Sequence, residues 1–257
     1  MKNIILSTLI LMFCVSSLFS QNNKLSVEVG GSWQMLCLDQ LNKTFISELK
    51  SPASEVVNPR FNQGYSGDIN VKYQWVENFD LGIYFNYLSA NHGFQLGGGS
   101  PDPNRLNLEM QINNIALGVS NAVHLHELLN FSTKENQFLN RLNVMVDFRA
   151  GLSNTNSVLS FYIQDEQVFE GNPYTISSSV GYGSNFDFHG QVALKISYDF
   201  LKKDVFSGIG FKVGYQYLKT NELTTLRENK WIVTEDSEPM RYDLSGLFLG
   251  TFLVIGK

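Results

Sequence analysis

The sequence predicts an all-β protein, an antiparallel transmembrane β-barrel of about eight strands with long extracellular loops. Three observations lead to this fold: an export signal, a charge-poor and aromatic-rich composition, and repeated segments of about ten residues in which apolar and polar side chains alternate. Charged residues make up 17% and aromatic residues 13% of the chain, whereas soluble domains have about 25% charged residues. Beyond the signal no apolar run reaches the roughly 18 residues of a helical span, so a membrane would have to be crossed by strands.

Residues 1–20 have the order of a secretory signal peptide. Lys2 supplies a positive charge, residues 4–15 are almost entirely apolar, and small residues precede Gln21. A retained membrane helix would need about 20 apolar residues, so we expect cleavage after residue 20 and a single barrel domain over residues 21–257. The mature chain then has one cysteine, Cys37, and no intramolecular disulfide.

Eight segments alternate with the period of a strand, and the second and third are close enough for a hairpin. They are residues 25–33, 69–75, 79–87, 106–119, 142–152, 186–198, 209–217 and 242–255. The fourth segment changes phase at Asn113-Asn114 before it resumes at Ile115, which predicts a β-bulge.

The connections between these segments alternate in length. The long ones are residues 37–66, 91–105, 153–185 and 218–241, and an even strand count places all four on one side, as extracellular loops. Residues 124–140 are an exception, because they are long but fall on the periplasmic side. Residues 158–163 and 168–174 either extend their neighbouring strands or add a ninth and a tenth strand.

A soluble barrel would show the same alternation with its faces reversed. The membrane alternative is favoured because the segments exceed the five or six residues typical of soluble strands and their polar faces hold little Lys or Glu. Aromatic residues also collect near the segment ends, as in interfacial girdles. They are Trp33, Trp75, Phe79, Tyr87, Tyr198, Phe200, Tyr217 and Tyr242.

On these features the chain, from Leu25 to Ile255, resembles the small bacterial outer-membrane β-barrel proteins of the OmpA/OmpX-like type. It looks especially like the poorly characterised outer-membrane β-barrel domain proteins of Gram-negative bacteria. The resemblance implies residence in the bacterial outer membrane, in contact with its lipid. It rests on architecture, and such barrels serve adhesion, anchoring, transport and catalysis, so it leaves the activity open. The chain departs from the pattern at its end, Val254-Ile255-Gly256-Lys257, which lacks a terminal aromatic residue.

Charges of both signs lie on the polar faces. An eight-stranded barrel is just wide enough to be filled by side chains, and an unpaired buried charge costs several kcal/mol. We therefore expect a salt-bridge plug in the lumen, with a gated polar pore or a proton relay as the alternative. Its predicted members are Glu28, Asp68, Lys72, Asp80, Glu109, Asp147, Arg149, Asp187, Lys195 and Lys212.

Histidine residues suggest catalytic or metal sites only weakly. His124, His126 and Glu127 lack a further well-spaced ligand for a metal. His189, two residues after Asp187, would fit an acyl hydrolase, but no serine motif stands beside it. We predict no catalytic residue, no metal and no cofactor. A formal net charge of −5 argues against nucleic acid as a partner.

Aromatic residues of the long connections are candidates for recognition, since exposed rings on loops are suited to binding. They are Phe45, Phe61, Phe94, Tyr174, Tyr182 and Trp231. The same rings would serve equally to cap the barrel. We predict a non-enzymatic protein that acts through its surface loops, in binding, adhesion or envelope support, with an extracellular ligand or an envelope protein as partner. Small-solute passage and a membrane lipid-modifying acyl hydrolase are the alternatives.

Overall fold

The structure is a computed structural model that describes residues 24–37, 63–97, 105–125, 141–169, 172–200, 206–226 and 239–256. The strands are β1 (Leu25–Leu36), β2 (Gln63–Val76), β3 (Phe79–Gly97), β4 (Arg105–His124), β5 (Leu142–Phe169), β6 (Asn172–Asp199), β7 (Phe206–Leu218), β8 (Thr224–Thr225) and β9 (Gly246–Ile255). No helix in the described part of the chain is long and apolar enough to span a membrane.

The eight long strands form a closed ring, as the sequence predicts. Each pairs antiparallel with its neighbours in the order β5-β4-β3-β2-β1-β9-β7-β6, and β5 pairs with β6 to complete the circle. The seam between the first and last strands runs from Val27↔Ile255 to Leu36↔Gly246. The short strand β8 is not one of these eight, and it pairs with β6 beyond the point where the pairing of β6 with β7 ends.

Strands β5 and β6 form a tall hairpin rather than two short strands joined by a loop. Their pairing extends from Leu142↔Tyr198 to Phe169↔Asn172, so residues 158–163 and 168–174 lengthen β5 and β6 and add no new strand. The prediction of a loop over residues 153–185 is therefore wrong. The error arose because both faces of β5 are polar here. Ser153 and Thr155 point inward, while Asn154 and Asn156 point outward. The alternation disappears although the strand continues.

The predicted bulge in β4 is also wrong. The pairing of β4 with β3 and with β5 continues without a shift through Asn113 and Asn114. Met110, Ile112 and Ala116 are all buried on the inner face. The apolar residues change faces because the upper part of the interior is apolar and the lower part is polar.

An apolar band covers the outside of the ring. The outward residues of β2 from Tyr65 to Trp75 are apolar over about the 9–11 residues that a strand needs to cross a bilayer, and Ile69 and Val71 among them are 46% and 41% exposed. Large exposed apolar residues of the other strands include Ile83, Phe85, Leu117, Val119, Leu194, Phe211, Val213, Leu247 and Leu249. A water-soluble barrel would have the opposite distribution, so this is the transmembrane form of the fold.

Four strands continue above this band. We call the part of the sheet formed by residues 88–97, 105–113, 154–169 and 172–185 the extramembrane wall. The end of the barrel that carries it is the upper end, and the end that holds Leu25 and Ile255 is the lower end. Because the outward face changes at Tyr87, Ile115 and Leu152 from large apolar to polar side chains, the wall rises beyond the apolar core of a bilayer.

Candidate functional site in the barrel interior

Charged side chains fill the lower and middle part of the lumen. Lys72 Nζ lies 2.6 Å and Lys195 Nζ 2.5 Å from the two carboxylate oxygens of Glu28. Lys195 Nζ also lies 2.6 Å from Asp147 Oδ2. The alternation of each strand directs these side chains inward, and the Lys195–Glu28 salt bridge crosses the lumen from β6 to β1.

A second part of the network is organised by Arg149. Its Nε donates to Asp147 Oδ2 and its Nη1 donates to Asp68 Oδ2, both at 2.9 Å. Lys212 pairs with the other oxygen of Asp68. Glu28, Asp68, Lys72, Asp147, Arg149, Lys195 and Lys212 thus form one network, and none of them is more than 5% exposed. Pairing offsets the large cost of burying these charges.

Neutral polar side chains form a layer above the charges. The Tyr84 hydroxyl lies 2.6 Å from His189 Nδ1, and His189 Nε2 lies 3.2 Å from Gln216 Oε1. Gln216 Oε1 also accepts hydrogen bonds from Gln191 at 2.9 Å and Gln34 at 3.3 Å. His189 therefore contacts a phenol and an amide, and it has no serine hydroxyl among its hydrogen-bond partners in the described residues.

A β-bulge in β6 joins this layer to the mouth of the barrel. The register with β5 shifts by one residue between Ser153 and Thr155, and Phe186 adopts a left-handed φ of 59°. A ring-bearing residue rarely takes this conformation. Asn154 Oδ1 accepts the Phe186 backbone N–H at 3.1 Å, which fixes the bulge.

Asp187 ties the bulge to the chain that follows β7. Its carboxylate accepts from Ser184 Oγ at 2.6 Å, from Thr155 Oγ1 at 3.0 Å and from the backbone N–H of Asn221 at 2.7 Å. Asn221 Nδ2 in turn donates to the carbonyl of Asn185 at 3.1 Å. One buried carboxylate therefore holds β5, β6 and the segment after β7 in register.

The mouth is closed by apolar side chains. Leu36, Leu88, Ala90, Met110, Ile112, Leu159 and Leu218 line it, and Leu223, Met240, Tyr242 and Leu244 fill it from the segments that flank residues 227–238. We call residues 219–226 and 239–245 the mouth segments. Tyr242 Oη lies 2.9 Å from Ser157 Oγ, and burial raises the pKa of the Tyr242 hydroxyl. The mouth is a small hydrophobic core.

The remaining three residues that were predicted to belong to the lumen charge network lie outside that network. Asp80 lies inside but pairs with His124, at 2.9 Å, and Asp187 is bound by hydroxyl groups and a backbone N–H. The expectation for Glu109 needs correction. Its side chain is exposed on the outer face, because Met110 takes the inward position in the apolar mouth.

The other predicted sites are distributed as follows. Tyr182 packs, partly buried, against the mouth core. Phe94 and Tyr174 fall in β3 and β6, while Phe45, Phe61, His126, Glu127 and Trp231 lie outside the described residues. No group of three or more His, Cys, Asp and Glu side chains in the described ranges is arranged to hold a metal ion.

Sequence reasoning did not find the neutral layer or the mouth segments. Tyr84, His189 and Gln216 occur at the inward period-two positions of β3, β6 and β7, so their direction was readable from the alternation. The contact of Tyr84 with His189 was not, because it crosses the lumen between β3 and β6, which do not pair with each other.

Several solved structures align with most of this chain, whereas no protein-family model and no curated protein matches it. Ail, the attachment invasion locus protein of Yersinia pestis, has 9% identity, covers 91% of this chain and 99% of its own, and has a TM-score of 0.36. The outer membrane protease OmpT from Escherichia coli has 9% identity, coverages of 90% and 94%, and a TM-score of 0.36. CarO2 of Acinetobacter baumannii has 14% identity, coverages of 89% and 97%, and a TM-score of 0.31.

The chain is an eight-stranded membrane β-barrel. The closed pairing and the outward apolar band of this chain itself establish that fold. The expected resemblance to small outer-membrane β-barrel proteins is confirmed. At the identities found it concerns the fold and assigns no activity.

Proposed function

We propose that the protein is a non-enzymatic component of the bacterial outer membrane, in which the barrel is an anchor and the extramembrane wall with its loops is the recognition surface. The observation that carries this proposal is the contrast between the two ends of the molecule. The lumen is filled by the charge network and the mouth core, whereas four strands rise well above the apolar band.

Support for an anchor rather than a pore comes from the charge network. Lys195 on β6 binds Glu28 on β1, and Arg149 on β5 binds Asp68 on β2. These salt bridges cross the lumen and join strands that do not pair with each other. A solute would have to separate paired charges, each at a cost of several kcal/mol, and then displace the buried side chains of the mouth.

Support for surface recognition comes from the height of the wall. Strands β5 and β6 each have 28 residues, and a bilayer requires only about 9–11 residues of a strand. The excess forms a stiff hairpin, and a stiff surface loses little conformational entropy on binding.

The wall also has two sheet edges. On one side, the pairing of β3 with β2 ends at Tyr65↔Ser89, while its pairing with β4 continues to Gly97↔Arg105. On the other side, β8 pairs with Tyr182 and Gly183 of β6. Within the described residues the backbone beyond these positions has one neighbouring strand, and such edges recognise extended peptides by strand addition.

A lipid-modifying hydrolase has less support. His189 is 0% exposed and lies in the barrel interior, where a lipid ester in the bilayer does not reach it. Its hydrogen bonds to Tyr84 and Gln216 are typical of a structural histidine.

The test is a wall-shortening variant, in which a two-residue turn replaces residues 161–178 and is closed by the pair Ser160↔Ser179. The variant and the wild type would be placed in nanodiscs and compared on an array of extracellular proteins, envelope proteins and glycans. We expect binding seen with the wild type to be lost, because the upper hairpin is gone. Shortening residues 126–140, at the opposite end, is the matched control and should leave binding intact. Equal binding by the wall-shortened variant would contradict the proposal.

Conductance across a planar bilayer tests the alternative. We expect no channel activity for the wild type. Steady conductance that falls in Lys72→Met or Arg149→Met would replace the anchor by a pore for small solutes.

A further inference from the structure

A row of uncharged polar side chains runs across three neighbouring strands, β3, β4 and β5, where the wall leaves the apolar band. We call Asn91, Gln111, Asn113, Asn154 and Asn156 the amide belt. Asn91, Gln111, Asn154 and Asn156 are exposed on the outer face, and Asn113 is partly exposed. On the same strands, Ile115 and Leu152 are the next outward residues below Asn113 and Asn154, and Tyr87 lies two outward positions below Asn91; all three face lipid. The belt therefore lies at the level of the lipid headgroups.

The orientation of Asn154 is fixed by the bulge. Its Oδ1 accepts the backbone N–H of Phe186 at 3.1 Å, and a backbone N–H is only a donor. The side-chain carbonyl of Asn154 is thus turned toward the protein. Its amide nitrogen, with two N–H donors, faces the surroundings.

Asn113 is oriented in the same way from the other side. Its Oδ1 accepts from the Tyr87 hydroxyl at 2.7 Å and from Ser89 Oγ at 3.0 Å. Asn113 stands directly opposite Asn156 on β5, where side chains lie about 5 Å apart. The amide side chains of two adjacent strands therefore stand side by side.

Aromatic rings flank these amides. Tyr87 on β3 is 39% exposed, and Phe186 on β6 is 73% exposed. Phe186 is held outward in a left-handed conformation, and backbone strain of this kind is concentrated at functional positions. From β3 to β6 the surface is about 15 Å wide, since neighbouring strands are about 4.8 Å apart. That width accommodates a short saccharide.

We propose that the amide belt binds the saccharide headgroup of a glycolipid in the leaflet at the upper end. Amide N–H groups match the hydroxyl and ring oxygens of sugars, and aromatic rings stack against the apolar faces of sugar rings. The five belt side chains carry no charge, so they match a neutral sugar better than an anionic phosphate. This interaction concerns the membrane boundary and is independent of the recognition function proposed for the wall above it.

The experiment compares lipid retention by the folded barrel. The protein would be reconstituted in phosphatidylcholine nanodiscs that contain equal amounts of diglucosyl diacylglycerol and phosphatidylglycerol of the same chain length, and extracted for native mass spectrometry. We expect the wild type to retain the glycolipid at least about fivefold over phosphatidylglycerol, as two or three hydrogen bonds would give. The double variant Asn113→Leu, Asn156→Leu leaves Asn154 and the bulge intact, and it should retain both lipids about equally.

Asn121→Leu is the matched control, because Asn121 is an amide on the outer face of the same strand, opposite Leu81 and Phe148. It should keep the preference of the wild type. A wild-type ratio near one, or an unchanged ratio in the double variant, would overturn the proposal. Displacement of the glycolipid by free maltose at comparable concentration would overturn its assignment to a lipid headgroup.

A second measurement does not depend on the folding of the double variant. Side-chain amide NMR signals of wild-type Asn113 and Asn154 would be followed while dodecylphosphocholine is exchanged for dodecyl maltoside. We expect both signals to shift while that of Asn121 stays in place. Equal shifts of all three signals would contradict the proposal.

Discussion

Asp187 shows how much a single carboxylate can organise in this barrel. Its three hydrogen-bond donors come from β5, β6 and the mouth segment after β7. A buried carboxylate is stable without a cationic partner when it accepts several such bonds. Loss of these hydrogen bonds would weaken both the bulge and the closure of the mouth.

Replacement of Asp187 by Ala should therefore destabilise the upper end. Bonds to a charged group contribute about 1.5–3 kcal/mol each, with incomplete additivity, so we expect the free energy of unfolding in urea to fall by about 3 kcal/mol. Asp187→Asn, which keeps one acceptor oxygen, should lose less. Equal unfolding midpoints for Asp187→Ala and the wild type would show that the carboxylate is not the link.

Tyr242 gives the mouth core a dependence on pH. Tyr242 is 1% exposed, and burial raises the pKa of its hydroxyl above the ordinary value of 10.0. Below pH 10.0 the phenol is neutral whether the mouth segment is docked or released. Above it a released Tyr242 ionises while a docked one does not, so docking loses stability as the pH rises.

Absorbance of tyrosinate at alkaline pH measures this directly. The titration of the wild type minus that of Tyr242→Phe isolates one phenol among the 11 tyrosines of the chain. We expect its midpoint to lie above 10.0, the ordinary value. A midpoint at the ordinary value would mean that Tyr242 is in contact with water.

Individual residues were predictable from the sequence where alternation alone sets their direction. Glu28, Lys72 and Arg149 stand at inward positions of long, regular strands, and the structure places them inside. Glu109 was misassigned because an acidic residue among apolar ones looks inward when the lumen is assumed to be polar throughout. No local signal indicates that the mouth is apolar, since that depends on Leu223, Met240 and Tyr242, which are distant in the chain.

Strand β4 shows how a change of the buried face can imitate a bulge. Its apolar residues change face in the middle, and the sequence pattern of such a change is identical to that of a bulge. Only the surroundings distinguish the two, since Met110 and Ile112 contact the mouth core while Leu117 and Val119 face lipid. A bulge does occur in β6, at Phe186. The sequence did not indicate it, because the residue with the left-handed backbone is a phenylalanine and not a glycine.

Gly118 on β4 faces Gly151 on β5, and the two backbones leave no room for a side chain there. A Cβ on Gly151 would overlap the carbonyl oxygen of Leu117 and would lie only 2.7 Å from the Cα of Gly118. Gly67 on β2 is open by comparison, with the nearest backbone oxygen 3.9 Å away. The requirement for glycine is therefore a matter of contact distance between strands.

Gly151→Ala should destabilise the barrel by about 1–3 kcal/mol through overpacking, and Gly67→Ala should have little effect. Urea unfolding in detergent, followed by tryptophan fluorescence, measures both. The same loss in the two variants would point to a general intolerance of alanine rather than to the close approach.

For the whole molecule, the number of strands and their order were predictable because a period-two pattern with short turns allows few topologies. The lengths of the strands above the membrane were not predictable, because the upper hairpin of β5 and β6 has polar residues on both faces and so shows no alternation.

The closed ring predicts heat-modifiable migration. A barrel whose strands are all paired on both sides resists dodecyl sulfate until heated, so the unheated protein should migrate faster on a gel and be recovered with outer membranes. The wall-shortened variant should behave alike, because the ring is untouched. Identical migration before and after heating would contradict a closed barrel.

The seam between β1 and β9 has a topological consequence. Since Val27 stands opposite Ile255, the start of the first strand and the end of the last strand are neighbours at the lower end of the barrel. A closed ring of strands could therefore begin at any of its strands. A circular permutant that links residues 25 and 255 through a few glycines, and begins instead within residues 126–140, would keep every strand pair. Such a permutant would separate the pairing of the strands, which it preserves, from the order in which the strands leave the ribosome, which it changes.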